Sequence, residues 1–147
     1  MYQNILIATD GSDYASCAVA QGLELAKALN ARVVAVTVTE RWAEAFSGED
    51  LLAYPEVEYD AEMTEMASRS LAAVAERAKV NGIECDTVHI RDRQPADGIL
   101  EAAKERGCDL IVMASHGRRG FQLLLYGSQT HRVLTQSTLP VLVCRQR

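Results

Sequence analysis

Near its C-terminal end the chain reads Met113-Ala114-Ser115-His116-Gly117-Arg118-Arg119-Gly120, then Phe121 to Tyr126, then Gly127-Ser128-Gln129. This segment leaves an apolar run, passes two glycines and re-enters a helical pattern through Gly127-Ser128. Glycine lets backbone N–H groups approach a ligand closely. Ser128 stands where a helix would begin, and the unpaired N–H groups and dipole of a helix start favour an anion. Its hydroxyl adds a donor, and Arg118 and Arg119 could add charge-assisted hydrogen bonds. The chemistry this composition suits is phosphate binding. The same residues also suit a plainer role, in which Gly117 and Gly120 shape a turn and Gly127-Ser128 caps a helix. His116 fits a structural or hydrogen-bonding role better than that of a catalytic base. No lysine precedes Ser128, so this is not a P-loop.

A second candidate is Asp10, which follows the first apolar run in Thr9-Asp10-Gly11-Ser12-Asp13. A carboxylate there can reach ribose hydroxyls, an adenine amino group or a magnesium ion carried by a nucleotide. It can equally serve only to organise the turn. The turn lacks the G-x-G-x-x-G of dinucleotide-binding loops.

The elements that must position these groups follow from hydrophobic period. Asn4–Thr9 and Arg32–Thr39 read as buried parallel strands, the second rich in β-branched residues. Between them Ser12 caps a helix whose inner face is Ala15, Ala18, Val19, Gly22, Ala26 and Leu29, with Asn30 as the stop. Glu40 to about Val57 has no period and reads as an irregular covering flap, with a ligand lid or a partner surface as the alternatives. A helix over about Glu58–Lys79 carries the core stripe Met63, Met66, Ala67, Ser70, Leu71, Val74 and Ala78, and Asn81-Gly82 ends it. Glu84–Ile90 reads as a strand nearer the sheet edge. Pro95 opens a helix that Gly107 closes. Asp109–Ala114 is a strand, Ser115–Tyr126 a loop with a short helical turn around Gln122–Leu125, Ser128 to about Gln136 a helix, and Pro140–Cys144 the last strand. Alternation of this kind demands right-handed crossovers, hence an α/β fold: an open five-stranded parallel sheet, Rossmann-like, with helices on both faces. Ligands of such sheets sit beyond the carboxyl ends of the strands, which here are Thr9-Asp10, Thr37-Val38 and Met113-Ala114.

Composition bounds the function. The 147 residues suit one domain, 1–147, and 48% apolar with 24% charged residues is a globular balance. A formal charge of -5 disfavours non-specific binding to nucleic acid or to an anionic membrane. Cys17, Cys85, Cys108 and Cys144 are far apart and form no C-x-x-C pair, so free thiols in a reducing compartment are expected rather than zinc or redox chemistry. The N-terminal residues carry no secretory pattern, and no run is long enough to span a bilayer. The expected location is the cytoplasm.

With these residues in view, the chain resembles the universal stress protein family. Ile5-Leu6-Ile7-Ala8-Thr9-Asp10-Gly11-Ser12, Pro95-Ala96-Asp97-Gly98-Ile99-Leu100 and Pro140-Val141-Leu142-Val143 carry the likeness. So does the nucleotide motif G-x-x-G, nine residues, G-[S/T], which reads here Ala114-Ser115-His116-Gly117, Arg118 to Tyr126, Gly127-Ser128. Two of its three glycines and its serine are in register. The resemblance implies an adenine-nucleotide site. Asp10, beside Thr9, and the backbone at Val38 would hold the adenosine, and Met113 and Ala114 would line the ribose. Gly117, Gly127, Ser128 and the backbone of Gln129 would hold the phosphates, with His116 and Arg118 close by. Ala114 stands in place of the first motif glycine; its methyl costs little where φ is negative and crowds a ligand where the backbone must come close. Asp92-Arg93-Gln94 replaces a stretch in which glycine is common.

The function so implied is an ATP-binding regulatory protein of the stress response. Magnesium would come with the nucleotide, turnover would be slight, and a homodimer would form through Pro140–Cys144. The alternatives are a slow ATPase or ATP-pyrophosphatase-like enzyme, and a dimeric interaction protein without nucleotide.

Overall fold

A computed structural model describes residues 1–116 and 127–146. Five parallel strands form one sheet: β1 (Asn4–Ala8), β2 (Arg32–Thr39), β3 (Cys85–Arg91), β4 (Leu110–Ala114) and β5 (Val141–Cys144). Their spatial order is β3-β2-β1-β4-β5, the open parallel sheet that the alternation predicts. The chain winds outward from β1 through β2 to β3, then returns to lay β4 against the other side of β1. Leu6 pairs with Ile111, so the carboxyl ends of β1 and β4 are neighbours at the point where the winding reverses.

Side chains alternate across the sheet. Ile5, Ile7, Val33, Ala35 and Val112 face one core, covered by α1 (Asp13–Leu29) and α4 (Glu56–Val80). Leu6, Val34, Val36, Ile111 and Met113 face the other, covered by α5 (Pro95–Glu105) and α6 (Ser128–Gln136). The Ser12 side chain accepts from the Ala15 N–H at 3.3 Å and so starts α1. Asn30, with φ of 54°, ends it, and its N–H returns to Ala26 and Lys27 carbonyls. Pro95 opens α5 and Gly98 seats it: a Cβ at Gly98 would lie 2.7 Å from both methyl carbons of Val38. Only glycine lets the start of α5 settle on the end of β2.

The stretch from Glu40 differs from the irregular flap expected of it. It forms two short helices, α2 (Trp42–Ala45) and α3 (Glu49–Ala53), and α4 begins at Glu56. Phe46 stacks on Tyr54 with centroids 5.1 Å apart, and Tyr59 meets both rings edge-on. Trp42 Nε1 donates to the Tyr54 carbonyl and the Tyr59 hydroxyl to that of Glu40. A cluster that closes on itself imposes no helical or strand period, which is why the sequence pattern is silent there. Strand ends move by one residue: Thr9, Glu84, Asp109 and Pro140 fall outside the strands and Arg91 falls inside. The short turn expected at Gln122–Leu125 lies outside the described residues.

Candidate functional site

α1, α5 and α6 each begin within a few described residues of the end of a strand or are tied back to it, so their starts gather at the carboxyl edge of the sheet with their positive dipole ends. At the end of β1 the chain is closely tied. The Thr9 N–H donates to the Val36 carbonyl at 2.9 Å, and the Thr37 hydroxyl, buried, donates to the Thr9 carbonyl at 2.8 Å. Thr9 Oγ1 accepts from the Gly11 N–H, and Asp10 Oδ1 accepts from the Ser12 N–H at 2.9 Å. Asp10 therefore does organise the turn, and the turn holds its carboxylate at the sheet edge.

The end of β4 lies beside it. Met113, Ala114 and Ser115 are buried. Ala114 pairs with Cys144 of β5 and is not among the residues of positive φ. Its methyl packs with Val112 and Cys144 in the core under α1, so alanine sits at the first motif position without backbone strain. The second departure behaves differently. Asp92 has φ of 58°, a left-handed conformation that glycine adopts at no cost, which accounts physically for a glycine being suited to this stretch.

Beyond His116 the described chain resumes at Gly127. The Gly127 N–H donates to the Ser115 carbonyl at 2.8 Å, bringing the start of α6 to the end of β4. Gly127 has φ of -67°, and a Cβ there would stand 3.4 Å from the Ser115 oxygen. The next amides are those of Ser128 and Gln129. Gly127 precedes α6 as its cap without any side-chain hydrogen bond to it, and Ser128 is exposed. These amides have the geometry and polarity to receive an anion. Ser115 Oγ and His116 Nδ1 lie 3.2 Å apart, which orients the imidazole at the lip of the same junction. Gly117 and Arg118, with Arg119 and Gly120, lie outside the described residues.

A model of the universal stress protein family matches residues 1–145. The chain belongs to the universal stress protein family. It is 32% identical to universal stress protein YxiE of Bacillus subtilis, over 99% of this chain and the whole of that one. A crystal structure of a universal stress protein family member from Burkholderia pseudomallei overlays with a TM-score of 0.79 at 29% identity, covering 99% of this chain and 97% of that one. A universal stress protein crystallised in complex with cAMP overlays with a TM-score of 0.74 at 26% identity, covering 99% and 98%.

In this member of the family, sequence reasoning missed three positioning residues around the α6 start. The Thr130 hydroxyl, only 3% exposed, lies 3.1 Å from the Ala114 carbonyl and 3.0 Å from that of Ser115, and so ties α6 to β4 from inside. The resemblance gives Gln129 a role through its backbone. Its side chain also accepts from the Ala96 N–H at 2.9 Å, filling one amide at the start of α5, and donates to Gln94. Arg132 pairs with Asp97 at 2.7 Å and locks α5 to α6 below. No local signal marks these contacts, because they exist only once the sheet has brought the two helices together. Among the described residues no three His, Cys, Asp or Glu side chains converge as a metal cluster requires.

Proposed function

We propose that this chain binds ATP at the carboxyl edge of its sheet and acts as a regulatory module of the stress response with slight turnover. One observation carries the reading. At the switch point between β1 and β4, an α6 start without a side-chain cap lies next to a turn that presents Asp10. The donor set fits a polyphosphate: the Ser128 and Gln129 amides and the Ser128 hydroxyl supply hydrogen bonds, and the α6 dipole supplies charge complementarity. The resemblance adds Gly117 and Arg118 to this end. Asp10 with Val38 would take the adenosine, and Met113 with Ala114 the ribose. Magnesium would arrive with the nucleotide and neutralise its phosphates. The cAMP complex of a 26% identical structure supports an adenine nucleotide as the ligand class. Slight turnover follows from the lack of a lysine before Ser128 and from the tie between His116 and the buried Ser115, which holds the ring in a positioning role. The β5 edge, apolar and short, is the surface proposed for a two-fold partner of the same chain.

The test is calorimetric titration of ATP with magnesium, alongside a steady-state phosphate-release assay. Saturable ATP binding with turnover far below the usual enzymic range of roughly 1–10³ per second supports the reading. Absence of binding at millimolar ATP overturns it, and turnover of several per second replaces the regulatory class with an enzyme.

A further inference from the structure

The face of the sheet opposite α5 and α6 carries a groove that shares only Thr9 with the nucleotide reading. It opens between α1 and α4 and has a volume of about 400 Å³. That volume falls in the range of small-molecule sites, roughly 300–1,000 Å³. Its floor is apolar: Val19 from α1, and Met66 and Val74 from α4, all buried. Ser16 and Ser70 line it as well, their hydroxyls donating to the Asp13 and Met66 carbonyls. Arg69 and Arg77 also line it. Eight residues of helix separate them by about 12 Å along the α4 axis, so two guanidinium groups are spaced along one apolar trough.

Neither guanidinium is committed elsewhere in a way that would hold it. Arg69 meets Glu65 at 3.6 Å with both side chains at least 70% exposed, a pair that water and salt readily exchange. Arg77 enters none of the ion pairs among the described residues. An apolar trough lined by two guanidinium groups is complementary to a molecule with an apolar body and an anionic head. We propose that this groove is a second ligand site, for an anionic amphiphile whose head is a carboxylate or a phosphate monoester. The groove ends at Thr9 and Gly11, so its occupant would touch the turn that carries Asp10 from the side away from α6.

The test uses the full chain without nucleotide and the fluorescent probe 1-anilinonaphthalene-8-sulfonate, an anionic amphiphile. Two variants are compared with wild type: Arg69→Ala/Arg77→Ala, and Ala73→Trp, which places an indole in the trough. All three positions are exposed, and circular dichroism checks the fold. Expected is one saturable probe site, weakened tenfold or more by the double arginine change and lost with the tryptophan. Sodium decanoate and decyl phosphate are then run as separate competitors, and the stronger identifies the head group. Saturating ATP should leave probe binding in place. No saturable site, wild-type affinity in either variant, failure of both competitors, or displacement of the probe by ATP would each overturn the proposal. Because the readout contains no nucleotide, failure of the ATP reading leaves this result intact.

Discussion

Two strand-to-helix junctions meet at the switch point of the sheet, and they are finished in opposite ways. After β1, the turn satisfies itself: Thr9 holds the Gly11 amide, Asp10 holds the Ser12 amide, and Ser12 caps α1 through Ala15. After β4, the Gly127 amide closes on Ser115, and α6 then starts without a side-chain cap. The dipole is the same at both helix starts. Ser12 supplies α1 with a capping oxygen that α6 lacks, and the proposed site accordingly puts the phosphates on α6 and the carboxylate on the self-capped turn. The first junction should matter for stability, the second for binding.

Substitutions at the second junction should produce the largest effects. Ser128→Ala removes a hydroxyl donor to a charged group, worth about 1.5–3 kcal/mol, and ATP affinity should fall about ten- to a hundredfold. Gly127→Leu should be more severe, since it puts a branched side chain at the residue before the α6 amides, where a Cβ alone already stands 3.4 Å from the Ser115 carbonyl oxygen. Titration calorimetry with folding checked by circular dichroism measures both. A Gly127→Leu protein that binds like wild type would make this junction a cap and nothing more.

The two edges of the sheet offer a parallel contrast. β3 carries Asp86, His89 and Arg91, charges and polar groups that discourage edge pairing, whereas β5 reads Val-Leu-Val-Cys with Leu142 37% exposed. Leu142→Lys should shift a dimer toward monomer in sedimentation velocity. A wild-type chain that is monomeric at tens of micromolar (about that range) removes the expected edge contact altogether.

At the first junction the effect should appear in stability. Ser12→Ala deletes the α1 cap and should cost about 1 kcal/mol in chemical denaturation, while changing ATP affinity far less than Ser128→Ala does. Equal losses of affinity at the two serines would erase the distinction between the junctions.

The smallest effect lies away from both, at His89. Burial, helped by Arg91, holds its pKa below the ordinary 6.5, and its Nε2 lies 2.9 Å from the Thr39 hydroxyl. The unfolded chain takes up this proton more readily than the folded one. His89 therefore contributes stability that is present above about pH 6.5 and is lost as pH falls through its lower folded value. Thermal melts from pH 7.5 downward should show a modest fall in Tm, and His89→Asn should flatten it.

Much of this architecture was legible because its signals are local. Ser12, Asn30, Asn81-Gly82, Pro95 and Gly107 each act within one turn of chain, and the β-branched runs mark strands buried on both faces. Period and capping chemistry therefore give the order of elements. What escaped depends on partners distant in sequence. Phe46 and Tyr54, at the ends of the two short helices, pack with each other and with Tyr59 of α4. Gln129 reaches Ala96, and Thr130 reaches Ala114, across α5 and β4. Ala114 shows the same limit from the other side: its residue type alone leaves open the sign of φ there, and the backbone, paired with Cys144 and not left-handed, supplies it.

The central claim is that the nucleotide's phosphates sit on the start of α6, and amide chemical shifts test it most directly. In a ¹⁵N-labelled chain, ATP should move the Ser128 and Gln129 amide resonances strongly, whereas adenosine should leave them nearly in place while still moving those around Asp10 and Val38. If ATP instead perturbs the Gly11–Ala15 amides and leaves Ser128 and Gln129 where adenosine leaves them, the phosphates lie at the first junction and the account is contradicted.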